Sequence, residues 1–369
     1  MIRTALIGLG KMGLSHLAMV RTCPQVQLEG VCDPSAIVLD ALRKYTDIPT
    51  YKDYRKLLTE RRLDAVVVAT PSRFHGEIVR LALENGIHVF CEKPFCLDPE
   101  EGRALADLAE RKGLVNQVGY HYRFVGAFQE ARRLLSGGAL GQVHHIRGEA
   151  FGPVVLRRKS ATWRSSKSEG GGCLYDYASH VIDLMNYLVG PPTSITGSTL
   201  NRIFSRDVDD EVYSTFHYHN GASGQLAANW SDESNRKMSV KISVWGDKGR
   251  MQCDRQELQV YLSDAALAQS AGLRKGWNLR YTTDLTQPVW YYLRGEEYTA
   301  QIAHFVQQIA DGAPAVSTFR TAAETDRIIN DIRADATALP AARQPQVAEA
   351  RPAGPPRPWR LRSLLHAAR

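Results

Sequence analysis

Residues 3–13 read RTALIGLGKMG, a short apolar run that breaks into Gly8, Gly10 and Gly13 in the spacing GxGxxG. Three glycines in a turn are common, so the surroundings decide what they mean. RTALIGLG predicts a strand, HLAMVRTC a helix, and VQLEGVCD a second strand ending at Asp33, about twenty residues beyond the glycines. Glycines so placed let the backbone approach a pyrophosphate, which then meets the unpaired N–H groups and positive dipole end of the helix. Asp33 would accept hydrogen bonds from an adenosine ribose and repel a 2′-phosphate. Pro34 and Ser35 offer no cation to offset that repulsion, so the pattern predicts NAD in preference to NADP.

Outward from this stretch, DAVVVATP and HVFCEKP read as strands, and GEIVRLALENG and PEEGRALADLAERKG as helices. Strands alternating with helices imply a parallel sheet covered on both faces. After about Phe124 the texture changes to longer alternating runs such as QVHHIRGEAFG, DEVYSTFHYHNGASGQLAANWS and KMSVKISVWGDKGRMQCD, with Asn220-Gly221 as a hairpin signal. The expectation is an α/β chain: a dinucleotide-binding domain over 1–124, a second α/β domain with a mostly antiparallel sheet over 125–338, and a tail over 339–369.

The net charge of +7 is concentrated in that tail, where six arginines against one glutamate from Ala341 onward supply +5. The body is nearly balanced, which argues against a nucleic-acid surface. The Ala/Pro/Arg-rich tail reads as a solvated appendix, with a short basic amphipathic helix over Trp359–Arg369 that is marginal without a partner. No run is long and apolar enough for a membrane span, and the start shows no signal peptide. The six cysteines lack paired CxxC spacing or any other metal-binding pattern. A reducing cytoplasm fits them.

CEKPF, Cys91–Phe95, closes a later strand. The residue before a proline is held in extended geometry, so Lys93 would stand fixed at the carboxyl end of a strand, where open parallel sheets bind ligands. An ammonium there stabilises negative charge developing on oxygen. The competing reading is a surface lysine paired with Glu92.

GLGKMGLSH, ATPSRFH, CEKPF, GYHYRF and EGGGCLYDYASHVID, in that order, resemble the glucose-fructose oxidoreductase / inositol dehydrogenase / MocA (Gfo/Idh/MocA) family over about residues 1–335. The resemblance implies a Rossmann domain, then an α/β domain with a large open sheet, and a homo-oligomer packed through those sheets. It implies a pyridine nucleotide whose nicotinamide faces Lys93, with a sugar or polyol between that ring and the segment carrying Asp176 and His180. Gly8, Leu9, Gly10, Lys11, Met12, Gly13 and Asp33 match the nucleotide positions. Thr70, Pro71 and His75 match a strand end beside the cofactor, Glu92 and Lys93 the EKP element, and Trp163 and Arg164, more loosely, a pair near the cofactor phosphates. Arg123 joins Lys93, Asp176 and His180 as a candidate substrate contact.

At 100° per residue, Asp176, His180, Asp183 and Tyr187 fall within about 40° of one line, and Tyr177, Val181, Leu184 and Leu188 form a stripe roughly 110° away. One stripe packs and the other can face a cleft. His180 or Lys93 would take the proton of a secondary alcohol while hydride leaves carbon, with Asp176 orienting the imidazole or a substrate hydroxyl. The basic run Leu156–Lys167, with Arg157, Arg158, Lys159, Arg164 and Lys167, either attracts an anionic substrate or is solvated. Besides a dehydrogenase acting on a sugar, a cyclic polyol or a sugar nucleotide, the resemblance allows a glycosidase that oxidises its sugar transiently, or a non-catalytic NAD-sensing regulator.

Overall fold

The computed structural model describes residues 1–157 and 162–338. The expected tail over 339–369, and Arg158 and Lys159 of the basic run, lie outside the described residues. Ile2–Ile7 (β1), Val26–Cys32 (β2), Thr50–Tyr51 (β3), Ala65–Val68 (β4), His88–Cys91 (β5) and Asn116–Val118 (β6) form a six-stranded sheet in the order β3-β2-β1-β4-β5-β6. Every neighbouring pair is parallel. The crossovers are Lys11–Thr22 (α1), Ala36–Tyr45 (α2), Tyr54–Glu60 (α3), His75–Glu84 (α4) and Pro99–Arg111 (α5).

Successive strand residues point to opposite faces. Ala5, Ile7, Val66, Val68, Val89 and Cys91 accordingly join one apolar cluster, while Leu6, Ala65, Val67 and Phe90 join another. Near-continuous apolar strands are what a sheet covered on both sides needs. Strand order reverses between β1 and β4, so their carboxyl ends flank a crevice, the place where such sheets bind ligands.

After Gly126–Ser136 (α6), the chain builds a second sheet from Val143–Phe151 (β7), Ser194–Asn201 (β8), Glu211–His217 (β9), Ser223–Asn229 (β10), Ser239–Gly246 (β11), Gly249–Cys253 (β12), Glu257–Leu262 (β13) and Gly276–Tyr281 (β14). Its order is β14-β13-β12-β11-β7-β10-β9-β8, antiparallel throughout except where β7 and β10 run parallel. One face is buried against Ser179–Val189 (α7): Val212 and Phe216, Leu258, Val260 and Leu262 alternate inward and share a cluster with Val181, Leu184 and Leu188. The opposite face carries exposed Tyr213, Tyr261, Trp277, Leu279 and Tyr281. Ala265–Ser270 (α8) and Thr282–Leu285 (α9) are short connectors.

The change of texture near residue 124 is real, yet the two halves are not successive bodies. Glu296–Asp311 (α10) returns to the first sheet, where Ile302, Phe305 and Val306 complete the cluster containing Leu6 and Phe90. Phe319–Ala338 (α11) bridges both halves: Phe319 stacks on Phe95 at 4.2 Å, while Ile328, Ile329 and Ile332 enter the core of the second sheet. No helix among the described residues is long and apolar enough to cross a membrane. All six cysteines are free and buried.

Candidate active site

The turn after β1 is shaped by contact with the end of β4. Gly8 has φ +95, and a Cβ there would stand 2.5 Å from the carbonyl oxygen of Ala69; a Cβ on Gly13 would collide with the Gly8 carbonyl. Around Gly10, by contrast, a Cβ would meet nothing within 4 Å. Gly10 precedes the first turn of α1 and no side chain caps it, so the helix N–H groups are left for an anion in open space. Asp33 accepts from Leu9 N–H at 2.7 Å through one carboxylate oxygen and from Ser35 N–H at 2.8 Å through the other. Each oxygen keeps a lone pair for a ribose hydroxyl. At the end of β4, the buried Thr70 hydroxyl has no partner. The cradle therefore fits a dinucleotide: tight at Gly8 and Gly13, open at Gly10, and anionic where a ribose is expected.

Lys93 follows β5 at the same edge. Its Nζ donates to Asp176 Oδ1 and to the Asp176 carbonyl, both at 3.0 Å, and Arg164 Nε donates to Asp176 Oδ2 at 2.9 Å. The Lys93 and Asp176 side chains retain only 13% and 10% of their exposure, so Lys93 is not a surface lysine. Burial alone would push the Asp176 carboxyl up; Lys93 and Arg164 outweigh it and hold the carboxyl below its ordinary range. Glu92 is not the partner of the Lys93 ammonium. It lies 2.6 Å from His16 Nε2 and accepts the Lys93 backbone N–H at 3.2 Å. Burial acts to raise it, and the bond from His16 leads the effects that bring it below the usual value.

Three expected site residues have other duties. His75 is buried with Nε2 2.9 Å from the Thr70 carbonyl and Nδ1 3.0 Å from that of Pro94, so the ring ties the end of β4 to the loop after Lys93. Glu92 is committed to His16. Arg123 forms a bidentate pair with Asp183, Nε and Nη2 at 2.8 and 2.7 Å, and its Nη1 reaches the Val316 carbonyl at 2.5 Å. With side chains 3% and 1% exposed, this is a buried ion pair that leaves little of either group open to solvent. Arg164 is found on Asp176, with its guanidinium over the ring of Trp163 at 4.5 Å.

The segment carrying Asp176 begins tightly. A Cβ on Gly172, where φ is +110, would stand 2.6 Å from Asp209 Oδ1, and Asp209 Oδ2 accepts the Leu174 N–H at 2.6 Å. Leu174–Ala178 is a π-helical turn that runs into α7. Widened turns of this kind are frequent at functional sites. The packing stripe of Tyr177, Val181, Leu184 and Leu188 is buried as expected. The other stripe divides: Asp176 meets Lys93 and His180 meets an aromatic cluster, but Asp183 and Tyr187 face Arg123 and no cleft.

His180 is buried edge-on to Tyr120, His121 and Tyr122, at 6.1, 5.0 and 5.1 Å between ring centres, and its Nδ1 has no hydrogen-bond partner. Burial, aided by the positive charge of Lys93, pushes its pKa well below the ordinary value, so the ring is neutral. His121 is pushed down to about 3, chiefly by burial, and stacks on Tyr298 at 4.3 Å. His16, His121, Asp209 and Tyr298 did not emerge from the sequence as site residues. His16 and His121 stand inside recognised motifs, whereas Asp209 and Tyr298 carry no local signal.

The family model for the oxidoreductase family with an NAD-binding Rossmann fold matches residues 2–120, and that for the GFO/IDH/MocA C-terminal domain matches 128–252. The chain is 29% identical to D-glucoside 3-dehydrogenase of Escherichia coli K12, over 67% of this chain and 75% of that protein. It is 26% identical to the NAD(+)-dependent scyllo-inositol 2-dehydrogenase of Bacillus subtilis, over 86% and 89%. Among solved structures, levoglucosan dehydrogenase in complex with NADH superposes with a TM-score of 0.79 at 26% identity, covering 91% of this chain and 97% of that one. With the crevice, the glycine cradle and the lysine at its edge, these matches establish that the chain belongs to the Gfo/Idh/MocA family of NAD-dependent oxidoreductases, among the sugar and polyol dehydrogenases.

Proposed function

We propose that the chain oxidises a secondary alcohol of a sugar or cyclic polyol, with Lys93, Asp176 and His180 gathered around the reacting oxygen. The observation that carries this reading is the nearly buried Lys93–Asp176 pair at the crevice edge, with an unpartnered imidazole nitrogen on the same helical segment. Bound NAD supplies the hydride acceptor. With NAD bound, the neutral His180 would take the hydroxyl proton while the carbon–hydrogen bonding pair leaves as hydride to the nicotinamide, so that alcohol becomes ketone. Lys93 stabilises the negative charge that builds on oxygen, and Asp176, held ionised, keeps the ammonium aimed. Gly8, Leu9, Gly10, Lys11, Met12 and Gly13 would receive the pyrophosphate, and Asp33 the adenosine ribose.

Relatives named for a glucoside and for an inositol support a polyhydroxylated ring as substrate. A panel of glycosides, inositols, aldoses, sugar acids and nucleotide sugars with NAD, followed by NADH absorbance, tests the reading. Turnover of a ring polyol is expected. An inert panel with tight NAD binding would replace it by the regulatory reading, and hydrolysis without net NADH by the glycosidase reading.

The reading extends to a homo-oligomer. Trp245, Arg250, Tyr261 and Trp277 are register partners across β11 to β14, a ladder on the open face of the second sheet with Trp277 52% exposed. A contiguous aromatic face of this kind suits a second copy of the chain. Light scattering after size exclusion is expected to give more than one chain per particle. Free, buried cysteines suit a reducing cytoplasm.

A further inference from the structure

We infer that Arg294 is a cofactor-binding residue that closes the nucleotide crevice from the side of α10, its guanidinium meeting the pyrophosphate. The inference rests on the dinucleotide site described above. Among the described residues Arg294 is the one non-glycine with positive φ, +67, followed by Gly295 at φ +140 just before α10. A side chain in the left-handed region crowds its own backbone, and such strain persists where surrounding structure imposes it, often at ligand clamps.

The side chain reaches the first turn of α1, which follows the glycine turn. Arg294 Nη1 lies 3.4 Å from Met12 Sδ, in the first turn of α1, and the guanidinium lies 5.4 Å from the ring centre of Tyr298. Neither contact neutralises it, and among the described residues it forms no ion pair. Glu297, in the first turn of α10, is already paired with Arg255. An exposed guanidinium with no ion-pair partner among the described residues thus stands against Met12 in the first turn of α1, a helix whose N-terminal N–H groups no side chain caps. Its planar fork of donors matches phosphate oxygens, which an ammonium matches less well.

The same loop is fastened to the catalytic side. Tyr298, against Arg294, stacks on His121, and His121 stands edge-on to His180.

Binding measurements test the assignment: NADH by fluorescence titration, ADP-ribose and adenosine by calorimetry, on wild type, Arg294→Gly and Arg294→Lys. Wild-type binding of NADH is the control, and its failure would strike the NAD reading rather than this one. Arg294→Gly is expected to weaken NADH and ADP-ribose about tenfold or more, as loss of a charge-assisted bond implies, and to leave adenosine within about twofold. Its NADH affinity should also respond less to added salt. The thermal midpoint of the nucleotide-free variant should not fall, because glycine is at ease at this φ. Arg294→Lys should fall between the two. NADH affinity within about twofold of wild type, or adenosine weakened as much as ADP-ribose, would overturn the assignment.

Discussion

Replacing Lys93 by methionine keeps the length and apolar stem of the side chain and removes the ammonium. Two hydrogen bonds to Asp176, each 3.0 Å, disappear, and with them the positive charge proposed to face the reacting oxygen. Loss of one preorganised donor of this type lowers kcat by roughly 10²–10³, or about 3–4 kcal/mol of transition-state stabilisation. Among the described residues the hydrogen bonds of Lys93 go to Asp176 and Glu92 and none to the glycine turn or Asp33, so the affinity for NADH should change by less than about threefold, under 1 kcal/mol. Stopped-flow turnover with a saturating substrate, beside NADH fluorescence titration, separates the two effects.

The same substitution acts on Asp176 with a definite sign. In the wild type the folded carboxyl sits below its unfolded value, so it contributes stability above that unfolded value and loses it as pH falls through the folded one. Burial is the largest influence and acts upward; Lys93 is the largest opposing one. Without Lys93 only Arg164 opposes burial, through a side chain 40% exposed and screened by solvent. The folded carboxyl then rises, and where it passes the unfolded value the ionised group weakens the fold as pH climbs. Thermal melts from about pH 3 to pH 7 should show the midpoint of Lys93→Met falling progressively behind wild type. A constant gap across that range, or kcat within about threefold of wild type, would refute the reasoning.

Gly8→Ala and Gly10→Ala should differ in kind. The first forces a Cβ against the Ala69 carbonyl at φ +95 and is expected to destabilise by about 1–3 kcal/mol in chemical denaturation. The second meets no protein atom, so stability stays within about 0.5 kcal/mol while NADH affinity falls at least about tenfold. Arg123→Met leaves Asp183 buried without its partner and should destabilise by about 3–5 kcal/mol by denaturant titration. The fraction still folded should bind substrate with KM near wild type, since Arg123 serves the scaffold. Asp209, pushed up to about 6 mainly by burial, stabilises less as pH rises from the ordinary carboxylate value through 6. Asp209→Asn keeps an acceptor for the Leu174 N–H and never ionises, so its midpoint relative to wild type should rise over that interval and level off above it.

The nucleotide half was legible because its constraints are steric and local. Gly8, Gly13 and Asp33 are each the residue that a backbone clash or a ribose demands, and such demands leave the same letters in any chain with this turn. The second sheet was legible as alternation, and its hairpin as Asn220-Gly221, where Gly221 takes φ +78. The return of α10 and α11 to the first sheet was not. Their apolar stripes fit any core, and nothing in a stripe says which sheet 200 residues away it will cover.

The stripe along Asp176, His180, Asp183 and Tyr187 shows where angular reasoning stops. All four positions are polar and recur at helical spacing, but the π-helical turn over Leu174–Ala178 breaks the 100° step before α7 begins. What separates them is the partner each meets: Lys93 for Asp176, His121 for His180, Arg123 for Asp183. Those partners follow β5 and β6 of the first domain, so the division between the proposed catalytic acid, Asp176, and the buried Asp183 is made by how the halves dock. Asp183 receives two short guanidinium bonds in a sealed environment and has nothing left to offer a substrate. Asp176 is shared between a nearly buried lysine and a half-exposed arginine at the mouth of the crevice, an arrangement that keeps it charged yet reachable. An acid of this second kind can steer an ammonium toward a substrate oxygen. One of the first kind can only hold two domains in register so that the other acid is where it must be.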